Sequence, residues 1–321
     1  MDYPSEKAPP IPRDFIWRRL QSLMGLWLVL FLTEHLLINS QAALFIGDDG
    51  SGFVTAVNSI KELPYLPFIE LFLIGVPFII HGYWGIHYLL TSEVNSFVTD
   101  GTKVALPQYT RNQAFTWQRV TSWILLLGVI AHVIHMRVIE YPVAAQRGTE
   151  HFYMVRLNMD NGLYTLSRRL GFELVTPEQV KELSHQLATS INPLSAAEET
   201  PDALIRAQAA RENEAWVKAL EWRPLAANQQ LAISKTFGIA ELLMVRDSFK
   251  NPLHIFLYTI FVLAAGFHAF NGLWTSFITW GITLTATAQW IMRRVAITLM
   301  CLVTFLGLAA IWGTYWLNLT S

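Results

Sequence analysis

"GFHAFNGLWTSFITWGIT" (residues 266–283) is apolar enough to dissolve in lipid, yet it carries a titratable side chain, His268, near its start. Three other apolar segments repeat the combination, with His35, His81 and His132. Of 321 residues, 53% are hydrophobic and only 15% are charged, whereas soluble domains average about 25% charged. Five apolar runs reach membrane length, at approximately 18–42, 66–92, 118–139, 253–277 and 295–317. Each can cross the hydrocarbon core, because about 20 residues at 1.5 Å rise span roughly 30 Å. The first run follows Arg18 and Arg19 as a secretory leader would, but it is too long for one and has no small-residue cleavage site after it. Ten-residue strands of alternating polarity, the mark of a lipid-facing barrel, are absent. The expected class is an all-α integral membrane protein with five transmembrane helices.

Charge narrows the partners and sets an orientation. A net charge of −1 gives no basic field for nucleic acid. A single cysteine, Cys301, excludes an intrachain disulfide, a four-cysteine iron–sulfur site and covalent haem attachment. Any metal must therefore be held by histidine or carboxylate. Lys7, Arg13, Arg18 and Arg19 precede the first span, Lys103, Arg111 and Arg119 fill the second connection, and Arg293 and Arg294 fill the fourth. The first connection has only Lys61 and the C-terminal tail has none. Positive residues accumulate on the cytoplasmic side, so the N-terminus is expected inside, and the C-terminus and the long third connection outside, in the inner (cytoplasmic) membrane.

The chain thus divides into 1–140 (an N-terminal arm and spans one to three), 141–250 (an extramembrane insert) and 251–321 (spans four and five). Within the insert "TPEQVKEL" reads as a helix start: Thr176 caps, Pro177 suits the first helical position and Gln179 completes a capping box. "TPDALIRAQAARENEAWVKALEW" repeats the Thr-Pro start and reads as a longer amphipathic helix. The insert is expected to be a helical cap, with no metal spacing or phosphate loop.

An imidazole in hydrocarbon must find a partner, and intramembrane ionisable residues mark functional paths. One such histidine is explained by a hydrogen bond between helices; four in four helices point instead to two non-covalent haem b groups, each with two axial histidines projecting into a bundle core. Depth suggests the pairs. His35 lies 16 residues beyond Arg19, about 24 Å at helical rise, and His132 lies 13 beyond Arg119, about 20 Å. Both fall toward the outer leaflet. His268 lies 18 residues beyond Lys250, about 27 Å inward, and His81 pairs with it by elimination.

Other residues have weaker claims. His135, three residues after His132, is the rival ligand on nearly the same helical face. His87 points about 120° from His81, which favours packing or a propionate contact. His254 opens the fourth span at the interface, where a solvated histidine is the default, and His151 and His185 read as surface residues. Gln21, Ser22, Trp117 and Arg119 sit near the inner boundary, where anionic propionates want donors. Glu34, beside His35, and Glu70 are equally readable as proton or quinone contacts and as partners of a neighbouring helix.

The segments "RRLQSLMGLWLVLFLTEHLLIN", "PFIIHGYWGIHYLLT", "WQRVTSWILLLGVIAHVIHMRV" and "GFHAFNGLWTSFITWGIT" resemble the cytochrome b membrane-anchor subunit of succinate dehydrogenase and fumarate reductase, in its single-chain, five-helix, two-haem form. The resemblance covers roughly 13–140 and 251–321 and leaves the insert uncovered. It implies axial ligation by His35 and His132 on an outer haem and by His81 and His268 on an inner one. It also implies flavoprotein and iron–sulfur partner subunits on the cytoplasmic face, and electron flow through both haems to a membrane quinone. A menaquinone site near the outer face, with Glu34, Glu70, His135 or His254 exchanging protons, suits two haems stacked across the bilayer. The chain itself has no flavin-type glycine pattern and too few cysteines for clusters, so dicarboxylate oxidation falls to the partners. Two other classes fit buried histidines in apolar spans: a quinol-oxidising di-haem cytochrome b of another respiratory dehydrogenase, and a non-redox proton-coupled transporter.

Overall fold

The computed structural model describes residues 11–44, 49–97, 100–102, 105–191 and 200–320. Lys7 and Lys103 lie outside the described residues. In chain order the elements are α1 (Arg13–Leu44), α2 (Ser51–Lys61), α3 (Leu66–Thr91), α4 (Thr110–Ile139), β1 (Val143–Arg147), β2 (Glu150–Asn158), α5 (Leu163–Leu170), β3 (Glu173–Val175), α6 (Pro177–Thr189), α7 (Pro201–Leu220), β4 (Gln229–Ser234), α8 (Phe237–Ser248), α9 (Pro252–Thr279) and α10 (Ala286–Leu317).

Among the described residues, five helices are long and apolar enough to cross a membrane: α1, α3, α4, α9 and α10. They coincide with the five apolar runs but extend into polar turns, such as Arg13–Asp14 in α1 and Thr110–Gln113 in α4. A helix satisfies its backbone internally and so need not stop at the hydrocarbon edge. Leu30, Phe72, Ile79, Leu90 and Leu127 are exposed on these helices, as side chains that meet lipid rather than water must be.

Helix α3 contains a π-helical stretch, Leu71–Gly75, followed by Pro77. Proline has no N–H to give to the carbonyl four residues back, which is that of Leu73. The indole Nε1–H of Trp27 on α1 donates to this carbonyl at 2.5 Å. The sequence feature that disturbs α3 thereby fastens it to α1. Further π-helical stretches occur in α4 (Ile134–Ile139) and α10 (Ala309–Gly313).

The chain forms two compact units. The first comprises Met1–His35, Tyr65–Gly128 and Ile260–Phe305. Polar side chains stitch its helices together: Asn271 Nδ2 on α9 donates to Gln118 Oε1 on α4 at 2.8 Å, and Trp280 Nε1 donates to Ser22 Oγ on α1 at 3.2 Å. Such bonds are useful in lipid, where apolar burial does not drive helices together.

The second unit comprises Leu36–Pro64, Val129–Thr259 and Leu306–Ser321. Its centre corrects the expectation of a purely helical insert. The helices expected after Thr176 and Thr200 are present, but so is a four-stranded antiparallel sheet in the order β1-β2-β4-β3. Val180, Leu187, Trp216, Ala219 and Leu220 from α6 and α7 pack with Met154, Leu231 and Ile233 on one face of the sheet. Val155, Leu157 and Ala232, of opposite strand parity and all buried, fall on the other face, and α8 packs against β2. Burial on both faces removes the alternation that would have marked β4, "QQLAIS", as a strand.

The Thr176 capping box forms as its residues dictate: Gln179 N–H donates to Thr176 Oγ1 at 3.3 Å, and Thr176 N–H donates to Gln179 Oε1 at 2.9 Å. Helix α2 packs on α8 at Gly238, whose N–H donates to Asn58 Oδ1 at 2.7 Å. An added Cβ there would collide with the Val54 carbonyl. At the entry to α9, Lys250 Nζ pairs with Asp160 at 2.6 Å and Asp247 at 3.0 Å. Asp247 also accepts from the N–H and Nδ2 of Asn158, both at 2.8 Å.

Candidate functional site

Within the first unit, α3 and α9 bring His81 and His268 together, with ring centres 6.2 Å apart and planes at 85°. A metal–imidazole bond is about 2 Å long and the ring centre lies about 1.1 Å beyond the nitrogen, so two imidazoles on opposite sides of one iron stand roughly 6 Å apart. The spacing fits a bis-histidine haem. So does the hydrogen bonding. His81 Nδ1 is 3.0 Å from the Gln21 carbonyl oxygen, which can only accept; the Nδ1 proton is therefore fixed and Nε2 is left as the basic nitrogen.

His268 Nδ1 lies 3.4 Å from Thr121 Oγ1 and 3.5 Å from Ser122 Oγ. Both hydroxyls already donate to backbone carbonyls of α4, of Trp117 and Gln118 for Thr121 and of Gln118 for Ser122, so they are free to accept. Gln118 Nε2 donates to the His268 carbonyl at 3.1 Å, and Asn271 orients Gln118 in turn. Trp274 Nε1 donates to Asn271 Oδ1 at 2.9 Å. On α1, Gly25 lies against His81: an added Cβ would stand 2.9 Å from its Cε1. Among the described residues no three His, Cys, Asp or Glu side chains are grouped to hold a bare metal ion, whereas a two-histidine pair suits haem iron.

The remaining first-unit candidates are dispersed. His35 is half-buried on α1 with its ring 5.5 Å from Phe31, and Glu34 beside it is exposed. Glu70 is half-buried at the start of the π-helical stretch of α3. Ser22 accepts from Trp280, and Trp117 is exposed. Arg119 binds the C-terminal end of α3: Nη1 donates to the Ser92 carbonyl and Oγ, both at 2.5 Å, and Nη2 donates to the Leu89 carbonyl at 2.7 Å. A cation there complements the negative end of the helix dipole. His87 is exposed, edge-on to Trp84 and Tyr88, which agrees with packing rather than ligation.

In the second unit, His132 and His135 on α4 face Tyr258 and His254 on α9. The Tyr258 Oη is 3.1 Å from His132 Nδ1 and 3.5 Å from His135 Nδ1. The His135 and His254 ring centres are 4.7 Å apart, and His254 Nδ1 is 3.0 Å from the Ser248 carbonyl oxygen. His151 and His185 are exposed in the insert. Close to this unit's ends of the spans, Lys61 Nζ reaches Tyr141 Oη at 3.2 Å and stands 4.4 Å from the Phe237 ring centre. Glu241 on α8 is the carboxylate that Lys61 and Arg137 face; burial pushes its pKa up to about 7 against the pull of both cations.

Sequence reading found the histidines but not their supports. Thr121 and Ser122 stand three and four residues after Gln118, a spacing that puts all three on one helical face. Tyr258 stands four residues after His254, again on one face. These were the available signals.

The chain is 25% identical over 302 residues to the succinate dehydrogenase cytochrome b558 subunit of Bacillus subtilis (strain 168), a match that covers 94% of this chain and 97% of that protein. No family model matches the chain, and no solved structure matches it. The match bears out the resemblance drawn from the four histidine-bearing segments and extends along nearly the whole chain.

Proposed function

We propose that this chain is the di-haem cytochrome b anchor of a succinate dehydrogenase, carrying electrons from an iron–sulfur partner subunit to a membrane quinone, with menaquinone the favoured acceptor. The observation that supports this most is the His81–His268 pair, spaced at 6.2 Å with the Nδ1 atoms of both rings engaged. When bound, haem b supplies one-electron transfer. The residues of the chain do the rest. His81 and His268 present Nε2, and the Gln21 carbonyl and the Thr121 and Ser122 hydroxyls hold the two rings in the right tautomer. Gly25 keeps α1 close to the His81 ring. Gln21, Ser22, Trp117 and Arg119 are the proposed propionate contacts, Arg119 through the N–H groups that its three existing bonds leave.

The second haem is assigned to His35 and His132 from their sequence depth and the family resemblance. His135, His254, Glu34 and Glu70 are the proposed proton or quinone contacts. The uneven Lys and Arg distribution supports a cytoplasmic N-terminus and an outer insert, with the flavoprotein and iron–sulfur subunits docked inside.

A pyridine haemochrome assay on the purified complex is expected to return two haem b per chain, with a reduced-minus-oxidised spectrum of low-spin type. Fewer than one haem per chain would sink the reading, and a colourless protein would favour the transporter. For orientation, Lys181→Cys in a Cys301→Ser background places a thiol at an exposed site of the insert. An impermeant reagent should label it in intact cells; labelling only after lysis reverses the topology.

A further inference from the structure

We infer that Tyr258 is a positioning residue for His132, fixing the orientation of its imidazole and thereby setting the reduction potential of the haem that His132 is proposed to ligate. The inference rests on the reading of His132 as a ligand. A phenol has one hydrogen and lone pairs to accept with, and here one Oη lies within reach of two imidazole Nδ1 atoms, at 3.1 Å and 3.5 Å. The phenol can accept from either imidazole and donate to the other, and ligation of His132 selects between the two arrangements. A histidine that ligates through Nε2 carries its proton on Nδ1, so His132 donates to Tyr258. Tyr258 then donates to His135, whose own proton sits on Nε2.

The phenol is itself held in place. The Phe249 ring packs edge-on against it, with centres 5.3 Å apart and planes at 89°, and Tyr258 lies one helical turn beyond His254 on the same face of α9. The π-helical stretch of α4 opens at Ile134 and includes His135; His132, just before that irregularity, and His135, within it, reach one hydroxyl. For His81 the same Nδ1 role falls to a backbone carbonyl, which no side-chain substitution removes. For His132 it falls to a side chain, so this bond can be deleted cleanly. An acceptor on Nδ1–H raises the basicity of a metal-bound imidazole, which favours the oxidised metal. Loss of the acceptor therefore raises the potential.

The test is Tyr258→Phe in the assembled complex, followed by redox titration of the visible spectrum and by low-temperature electron paramagnetic resonance. Both haems should be retained. The component that His132→Ala deletes should shift to higher potential with a displaced low-spin signal, while the other component stays at its wild-type values. Phe249→Leu, which removes packing but keeps the bond, should leave both potentials in place, and Tyr258→Gln, which restores an acceptor, should recover part of the shift. Wild-type potentials and signals in Tyr258→Phe, alongside loss of a haem in His132→Ala, would overturn the positioning role. Equal shifts in Tyr258→Phe and Phe249→Leu would overturn it in favour of packing. Retention of both haems in His132→Ala would instead remove the ligand assignment beneath it.

Discussion

In the first unit the candidate ligands lean on groups built into helices: a backbone carbonyl for His81 and two hydroxyls tied to the α4 backbone for His268. In the second unit His132 and His135 share one phenol from α9, and His135 packs against another imidazole, that of His254. A carbonyl only accepts and belongs to the main chain, whereas a phenol between two imidazoles accepts from one and donates to the other. The first kind of support cannot be removed by a single side-chain substitution at the carbonyl, whereas the second hangs on one side chain, that of Tyr258.

The largest expected effect tests whether the first unit holds a complete ligand pair. His81→Ala and His268→Ala should each delete the same one of two haem components, read by difference spectroscopy and redox titration, with some five-coordinate high-spin signal persisting. His35→Ala and His132→Ala should delete the other. His135→Ala should keep both low-spin components; if it erases one while His132→Ala spares it, the ligand on α4 is misassigned.

The next effect belongs to the second unit alone. Burial raises Glu241 from 4.5 to about 7, so across that window the folded chain holds a proton that the unfolded chain has released. Stability therefore falls as pH rises from 4.5 to 7 and levels off above, by about 3 kcal/mol in all. Glu241→Gln should flatten this dependence and raise the thermal midpoint at pH 8, with no change in haem content. An unchanged pH profile would mean that the carboxylate is not buried in the working protein.

Two smaller effects separate the units further. Trp27→Phe removes the donor to Leu73 and should cost the first unit about 1 kcal/mol, the range of hydrogen bonds between helices in membranes, seen as a lower thermal midpoint in detergent. Thr176→Ala removes a cap on an exposed helix start and should cost about 0.5 kcal/mol, without altering either haem.

The sequence showed most where lipid is the solvent. Every span was visible, because an uninterrupted apolar run of that length has few other physical meanings, and the Thr176 cap was readable because its three residues act locally. The sheet was not readable. β1, "VAAQR", is short, and β4 is buried on both faces, so neither carries the period-two pattern that identifies a strand. Helix α2 was missed because it stands in a connection of ordinary composition and is held by α8, nearly two hundred positions away, through Asn58 and Gly238. At the site, the imidazoles announced themselves as ionisable groups in hydrocarbon, but Tyr258, Gln118 and Asn271 are common in helices of any kind. Only the meeting of α4 with α9 gives them a role.

The pairing of Trp27 with the Leu73 carbonyl has a consequence for how the chain is made. Helices α1 and α3 enter the bilayer in chain order, α1 first. Until α3 docks, Pro77 deprives the Leu73 carbonyl of its usual helical donor in a medium with little water to substitute, so the bond from Trp27 favours docking by about 1 kcal/mol. The indole that answers it is already waiting one span earlier. A proline that would be a defect in isolation thus marks one carbonyl on α3 for one indole on α1, and so favours a single register between the two helices.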